Sequence, residues 1–141
     1  KPQTCEVIGL TPCCGKRRKG RCVVLRRTST KRQRAKLQAV KLELRRRMHH
    51  PIPEQGQYLR AVVAGHGRYF GVPCNGARLR TFRYQVAGLW HRTLCRRSQA
   101  KHLSWKRMHK IVAHWLPPIR ICHPYPNQRL IVTTQGKSRL R

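Results

Sequence analysis

Charge constrains this chain more than any local pattern does. Lysine and arginine number 33 and glutamate three, with no aspartate, so the formal charge is +30. Glu6, Glu43 and Glu54 can neutralise only a few of those cations, and the remaining self-repulsion opposes compaction. A polyanion is the natural counter-surface. Yet 39% of the 141 residues are hydrophobic, too many for a disordered basic arm, so the chain is expected to fold as one small domain. No long apolar segment suits a bilayer, which sets nucleic acid above a membrane as the partner. The opening "KPQTCEVIGL" lacks an initiator Met and the layout of a signal peptide, so the chain is expected to begin inside a larger protein.

Hydrophobic periodicity supplies the fold class. "TCEVIGL" (4–10) and "RCVVLRR" (21–27) flank "TPCCGKRRKG", whose Pro12, Gly15 and Gly20 punctuate a turn; the pattern predicts a β-hairpin with a basic connection. Thr30 followed by Gln33 fits a capping box. Beyond it Leu37, Val40, Leu44 and Met48 form one helical stripe. Ala35, Ala39 and Leu42 make a narrower second face, so this helix is expected to pack on two sides. "HHPIP" ends it.

A second helix is predicted from Glu54 through Leu59, Val62, Val63, His66, Tyr69 and Phe70, ending near Gly71 and Pro73. Asn75 is the expected N-cap of a third, carrying Leu79, Phe82, Val86, Leu89, Trp90 and Leu94. Ser104 opens a fourth with Trp105, Met108, Ile111, Val112 and Trp115, stopped by Pro117 and Pro118. Phe82, Trp90, Trp105 and Trp115 are assigned to the core. The result is a mainly α fold: a hairpin segment (1–28), a bundle of three to four helices (29–116), and a basic C-terminal extension (117–141), loose except for one short strand around "RLIVTT". Within the second helix, "AGHGRYFGVP" (64–73) places three glycines beside two aromatics. Either a partner backbone approaches closely there, or the helix simply ends.

Enzymatic chemistry finds little to use. Two-metal nucleotidyl transfer needs clustered carboxylates, which three scattered glutamates do not supply, so the chain alone is expected not to be an enzyme. Seven cysteines, an odd number without a CxxC pair, favour reduced thiols and a cytoplasmic location over a secreted disulfide framework. Zinc bound by Cys13, Cys14 and Cys22 with a histidine is disfavoured, since adjacent cysteines rarely reach one tetrahedral ion. His91 and Cys95 have i, i+4 spacing but no second ligand pair. No metal or cofactor is therefore assigned.

The ordered motifs resemble a known family over nearly the whole chain. "KPQTCEVIGLTPCCGKRRKGRCVVLRRTSTKR" resembles the end of the palm and start of the thumb in bacterial group II intron-encoded reverse transcriptases. "KLELRRRMHHPIPEQGQYLRAVVAGHGRYFGVPCN" is similar to their maturase-specific domain, and "FRYQVAGLWHRTLCRRSQ", "LSWKRM" and "WLPPIRICHPYP" continue the pattern. "VIGL" (7–10) falls at the primer-grip segment, with Cys5 where an aromatic is common, and Gly67 stands where the family often has an aromatic. The resemblance implies a fragment without the polymerase core, its Tyr-Ala-Asp-Asp motif and its Mg²⁺, and without the zinc-associated endonuclease domain. It further implies binding of structured intron RNA to assist splicing and, in a full-length protein, clamping of template–primer.

Arginine outnumbers lysine 23 to 10, and its planar fork suits phosphate and base contact. The candidate RNA-binding residues are Arg17, Arg18 and Lys19 in the hairpin connection, Arg26 and Arg27 beside it, and Lys31, Arg32, Arg34, Arg45, Arg46 and Arg47 on the first helix. Arg60 and Arg68 on the second and Arg80, Arg83, Arg96 and Arg97 on the third complete the set. Two alternatives stay open: a structural ribonucleoprotein component, and a non-functional remnant of a truncated gene.

Overall fold

The computed structural model describes residues 9–16, 22–97 and 103–124. Two strands, β1 (Leu10–Lys16) and β2 (Cys22–Thr28), are followed by α1 (Thr30–Arg46), α2 (Ile52–Phe70), α3 (Gly76–Arg97) and α4 (Trp105–Trp115). The fold is mainly helical with an N-terminal antiparallel hairpin. The predicted strand at "RLIVTT" lies outside the described residues.

The hairpin sits further along the chain than the turn residues suggested. Leu10 pairs with Thr28, Pro12 with Arg26 and Lys16 with Cys22, so most of "TPCCGKRRKG" that was expected as connection is strand. In a two-stranded sheet every strand is an edge, where a proline such as Pro12 is tolerated. Gly9 precedes β1 at φ 78°, a left-handed conformation that glycine adopts without a Cβ clash, and its carbonyl accepts from Ser29 N at 3.0 Å. That bond closes the base of the hairpin where α1 begins. The expected capping box is absent: Ser29 is the N-cap and makes no side-chain cap bond, while Gln33 Nε2 donates to Gln85 Oε1 at 3.1 Å.

Apolar stripes of all four helices meet around α3. Val40 and Leu44 from α1, Leu59 and Val63 from α2, Phe82, Val86, Trp90 and Leu94 from α3, and Met108 and Val112 from α4 form one buried cluster. Trp115 packs against it, over Gly56, where a Cβ would collide with the indole ring. Trp105 departs from expectation. It is in helical phase with Met108 and Val112, but at the first residue of α4 it remains 45% exposed and stacks on His91, with centroids 4.2 Å apart. Ser104 caps α4 as predicted, accepting from Arg107 N.

Two buried carboxamides tie the elements together. Gln55, with no exposed surface, donates from Nε2 to the carbonyls of Arg47 at 2.8 Å and His50 at 3.1 Å, in the bend that follows α1. Its Oε1 accepts from Trp90 Nε1 at 2.8 Å. Asn75 precedes α3 as predicted, but its side chain does not cap that helix. Oδ1 accepts from Thr28 N at 3.0 Å, and Nδ2 donates to Thr28 Oγ1 and Phe70 O at 2.7 and 2.8 Å. It thereby joins the end of β2 to the end of α2.

Residues 117–124, expected as loose chain, are held against the helices. Arg83 donates to the carbonyls of Leu116 and Pro117 at 3.1 and 3.0 Å, and Gly71 O accepts from Cys122 N and His123 N at 2.9 and 3.0 Å.

Replacing Gln55 by Leu leaves the buried Trp90 N–H without its acceptor, at about 1–3 kcal/mol, whereas the Arg47 and His50 carbonyls keep bonds from His50 N and Arg97. Urea unfolding of Gln55→Leu is therefore expected to show a loss of about 1–3 kcal/mol, against near-neutrality for the exposed neighbour in Gln57→Leu. Cys74, exposed and at φ 72°, carries the opposite expectation. Cys74→Gly relieves a left-handed non-glycine residue and should raise stability by about 0.5–1 kcal/mol, once the added freedom of the unfolded chain is subtracted.

Candidate nucleic-acid interface

The two described carboxylates are both occupied close to home. Glu43 Oε1 accepts from Arg47 Nε at 2.6 Å, and its other oxygen lies 3.5 Å from Arg46. The Arg47 hydrogen bond, aided by the charges of Arg47, Arg46 and His50, holds the Glu43 carboxyl below its ordinary range against partial desolvation. Glu54 Oε2 lies 2.9 Å from His50 Nδ1. Pairs of this kind within one helical turn, or across one short bend, contribute little to stability at an exposed surface. They also leave no described carboxylate for the remaining cations.

Those cations cover several faces. Arg26 and Arg27 are exposed on β2, Lys31, Arg32 and Arg34 on the first turns of α1, Arg45 and Arg46 at its end, Arg60 and Arg68 along α2, and Arg80, Arg96 and Arg97 on α3. Arg17, Arg18 and Lys19 lie outside the described residues. Arg47 and Arg83 are half-buried and have intrachain work: Arg47 bonds Glu43 and stands 4.8 Å over the Tyr58 ring, while Arg83 holds the residue 116–117 carbonyls. Arg97 also donates to His50 O at 3.0 Å. The exposed cations therefore form a distributed basic surface rather than one cluster. α4 adds exposed Lys106, Arg107 and Lys110, which periodicity passed over because only its apolar stripe was informative.

Between α1 and α2 runs a groove of about 850 Å³. The second face of α1 is not packed within the chain: Ala35 and Ala39 are exposed and line this groove, and Leu42 is 51% exposed. Ala61 and Gly65 line it from α2, flanked by Tyr58 and Tyr69, with Arg32 and Lys36 on the α1 side. The glycines of "AGHGRYFGVP" thus divide. A Cβ at Gly65 or Gly67 would meet nothing within 4 Å, whereas one at Gly71 would strike the Gly67 carbonyl. Gly71 belongs to the packed helix end, and Gly65 to an open surface. The groove had a signal in the sequence: Ala35 with Ala39 and Ala61 with Gly65 are i, i+4 pairs of small residues. Nothing in either helix alone says that the two pairs face each other.

His66 lies against this groove and is 8% exposed. Its ring stacks on Phe82 at 3.8 Å and leans on Phe70 at 4.7 Å. Burial, with the Lys36 ammonium adding to it, pushes the imidazole down to about 4, so His66 is neutral at pH 7. Burial, then Glu43, raises the Tyr58 phenol. His91 and Cys95 do approach, with Sγ 3.6 Å from Nε2. However, Nε2 lies 2.7 Å from Leu103 O, and since a carbonyl only accepts, that nitrogen carries the proton. Among the described residues no group of three or more His, Cys, Asp or Glu side chains could hold a metal ion, and no helix is long and apolar enough to cross a membrane. Comparison with known proteins gives no match to a family model, a curated protein or a solved structure.

His66 makes stability pH-dependent in a defined window. The unfolded imidazole titrates near 6.5 and the folded one at about 4, so between those values the unfolded state binds the extra proton. Stability is full above pH 6.5 and drains as pH falls toward 4, with a slope of up to about 1.4 kcal/mol per pH unit. Glu43 withdraws its share only below the usual carboxylate range. Thermal unfolding from pH 7.5 to 4.5 is expected to show this decline in the parent and a flatter profile in His66→Phe; parallel profiles would reject the assignment.

Proposed function

We propose that the chain binds folded RNA as the thumb and maturase-specific part of a group II intron reverse transcriptase. In this reading the helices hold intron RNA in its splicing-competent form while the RNA performs the transesterification. In a full-length protein the same helices clamp the template–primer duplex. The motif order in the sequence supports the family, and one structural observation supports the polyanion: Glu43 and Glu54 are both spent on neighbours, while Arg45, Arg60, Arg80 and Arg96 face solvent from three helices. A spread of arginines on differently oriented helices suits the irregular backbone of folded RNA better than a single groove of regular duplex.

The test is the salt dependence of binding. Each phosphate neutralised contributes about −0.7 to the slope of log affinity against log salt on single strands. About six contacts give roughly −4 or steeper, measured by filter binding to a structured intron RNA. Arg45 and Arg46 are exposed, whereas Arg47 is committed to Glu43 and Tyr58, so the informative variant is Arg45→Gln with Arg46→Gln. It is expected to keep the parent's thermal stability within a degree or two and to make the slope shallower by about 1.4. A flat salt titration of the parent would overturn the electrostatic account. In primer extension the purified chain is expected to incorporate no nucleotide, because in-line transfer needs metal-binding carboxylates; incorporation would contradict the reading of the chain as a binding module.

A further inference from the structure

We propose that the outer face of α3 binds an unpaired segment of RNA, with one base stacked on Tyr84 and the strand's phosphates held at Arg80 and Arg92. The inference rests on the RNA-binding reading above and gives it a site. Arg80, Tyr84, Gly88 and Arg92 follow one another at four-residue intervals, so they lie on one face of the helix. That row is about 18 Å long and lies opposite the buried stripe of Phe82, Val86 and Trp90. Tyr84 is 71% exposed. Tyr58 and Tyr69 are occupied by Arg47 and Phe70, whereas the Tyr84 ring has no ring or guanidinium partner among the described residues. Free aromatic faces are what unpaired bases stack on.

Gly88 supplies a second, independent observation. A glycine inside a helix weakens it relative to alanine, and packing does not demand this one, because a Cβ there would meet nothing within 4 Å. Helical side chains lean toward the N-terminus, so a side chain at 88 would lie over the turn that carries Tyr84. The glycine leaves that side of the ring open. Two turns and about 10 Å beyond Tyr84 on the same face, His91 stacks on Trp105, with centroids 4.2 Å and planes 19° apart. The His91 Nε2 donates to Leu103 O, which fixes the pair, and Trp105 stays 45% exposed. Charge selects the occupant. Neither α3 nor α4 contains an aspartate or glutamate. A second copy would bring another +30, whereas an RNA strand brings phosphates for the arginines and a flat base for the ring.

The experiment titrates the full chain, by fluorescence anisotropy, with an unstructured single-stranded RNA, a fully paired RNA hairpin of equal length, and polyglutamate. Tyr84→Ala removes the platform and Gly88→Leu covers it, neither altering a charge. Both sites are open, so both variants are expected to fold with a Tm at or above the parent's. Each should cost about tenfold in affinity for the single strand and leave binding of the hairpin and of polyglutamate unchanged, while Tyr84→Trp keeps the parent's affinity or betters it. Parent-like binding of the single strand by either Tyr84→Ala or Gly88→Leu overturns the proposal, as does an equal loss on both RNAs. If the parent binds only the hairpin, the base site falls and the RNA reading stands; if it binds neither RNA, the RNA reading itself falls. If Tyr84→Ala loses polyglutamate as strongly as the single strand, the face takes an acidic peptide and the base site is rejected.

Discussion

One side chain, Gln55, fixes how the first two helices meet and so sets the geometry of much of the bundle. Its amide nitrogen reaches back to carbonyls at the end of α1, and its oxygen accepts from the Trp90 indole in α3. A helix end has orphan carbonyls that must find donors. Here Gln55 adds a second donor to carbonyls that also accept from His50 N and Arg97, and it is itself bonded to the third helix. The bend at "HHPIP" is consequently held by partly buried neutral hydrogen bonds, anchored through the buried Gln55–Trp90 bond, which is strong where water is excluded. Asn75 repeats the device at the opposite end of α2, joining β2, α2 and the approach to α3.

Neutral carboxamides suit a chain with this charge. With three glutamates in all, and the two described ones paired close to home, ion pairs can do little to orient the elements, and burying an arginine without a partner would be costly. Polar specificity in the interior therefore falls to Gln55, Asn75 and the Trp90 N–H, while the cations stay at the surface. Arg83 follows the same logic from the outside: lacking a carboxylate partner, its guanidinium donates to the carbonyls of residues 116 and 117 and pins the segment after α4.

The same division of labour leaves the face between α1 and α2 uncovered. Small side chains on both helices keep that face open, and His66 stands at its inner edge with its ring locked by stacking on Phe82. The RNA-binding reading draws on motif order and charge, which are properties of the sequence. The open groove draws on the adjacency of two helices, which is not.

Short-range physics was legible in the residues. Helix stripes, the Ser104 cap, the stop at Pro51 and the core positions Phe82 and Trp90 follow from periodicity, φ restriction and desolvation, each of which acts within a few residues. The hairpin position was not legible, because Pro12 and Gly15 signal turns locally while strand pairing is decided by distant partners and an edge strand accepts proline. Trp105 had the right phase for the core and the wrong place along its helix. Gln55 and Asn75 look like ordinary surface or capping residues in the sequence; only packing makes them the ties between elements. The sequence by itself thus determined the mainly helical class and the large positive charge, since both are sums over residues. The buried amide ties and the open groove were decided by tertiary structure, because each exists only where side chains far apart in the chain share one space.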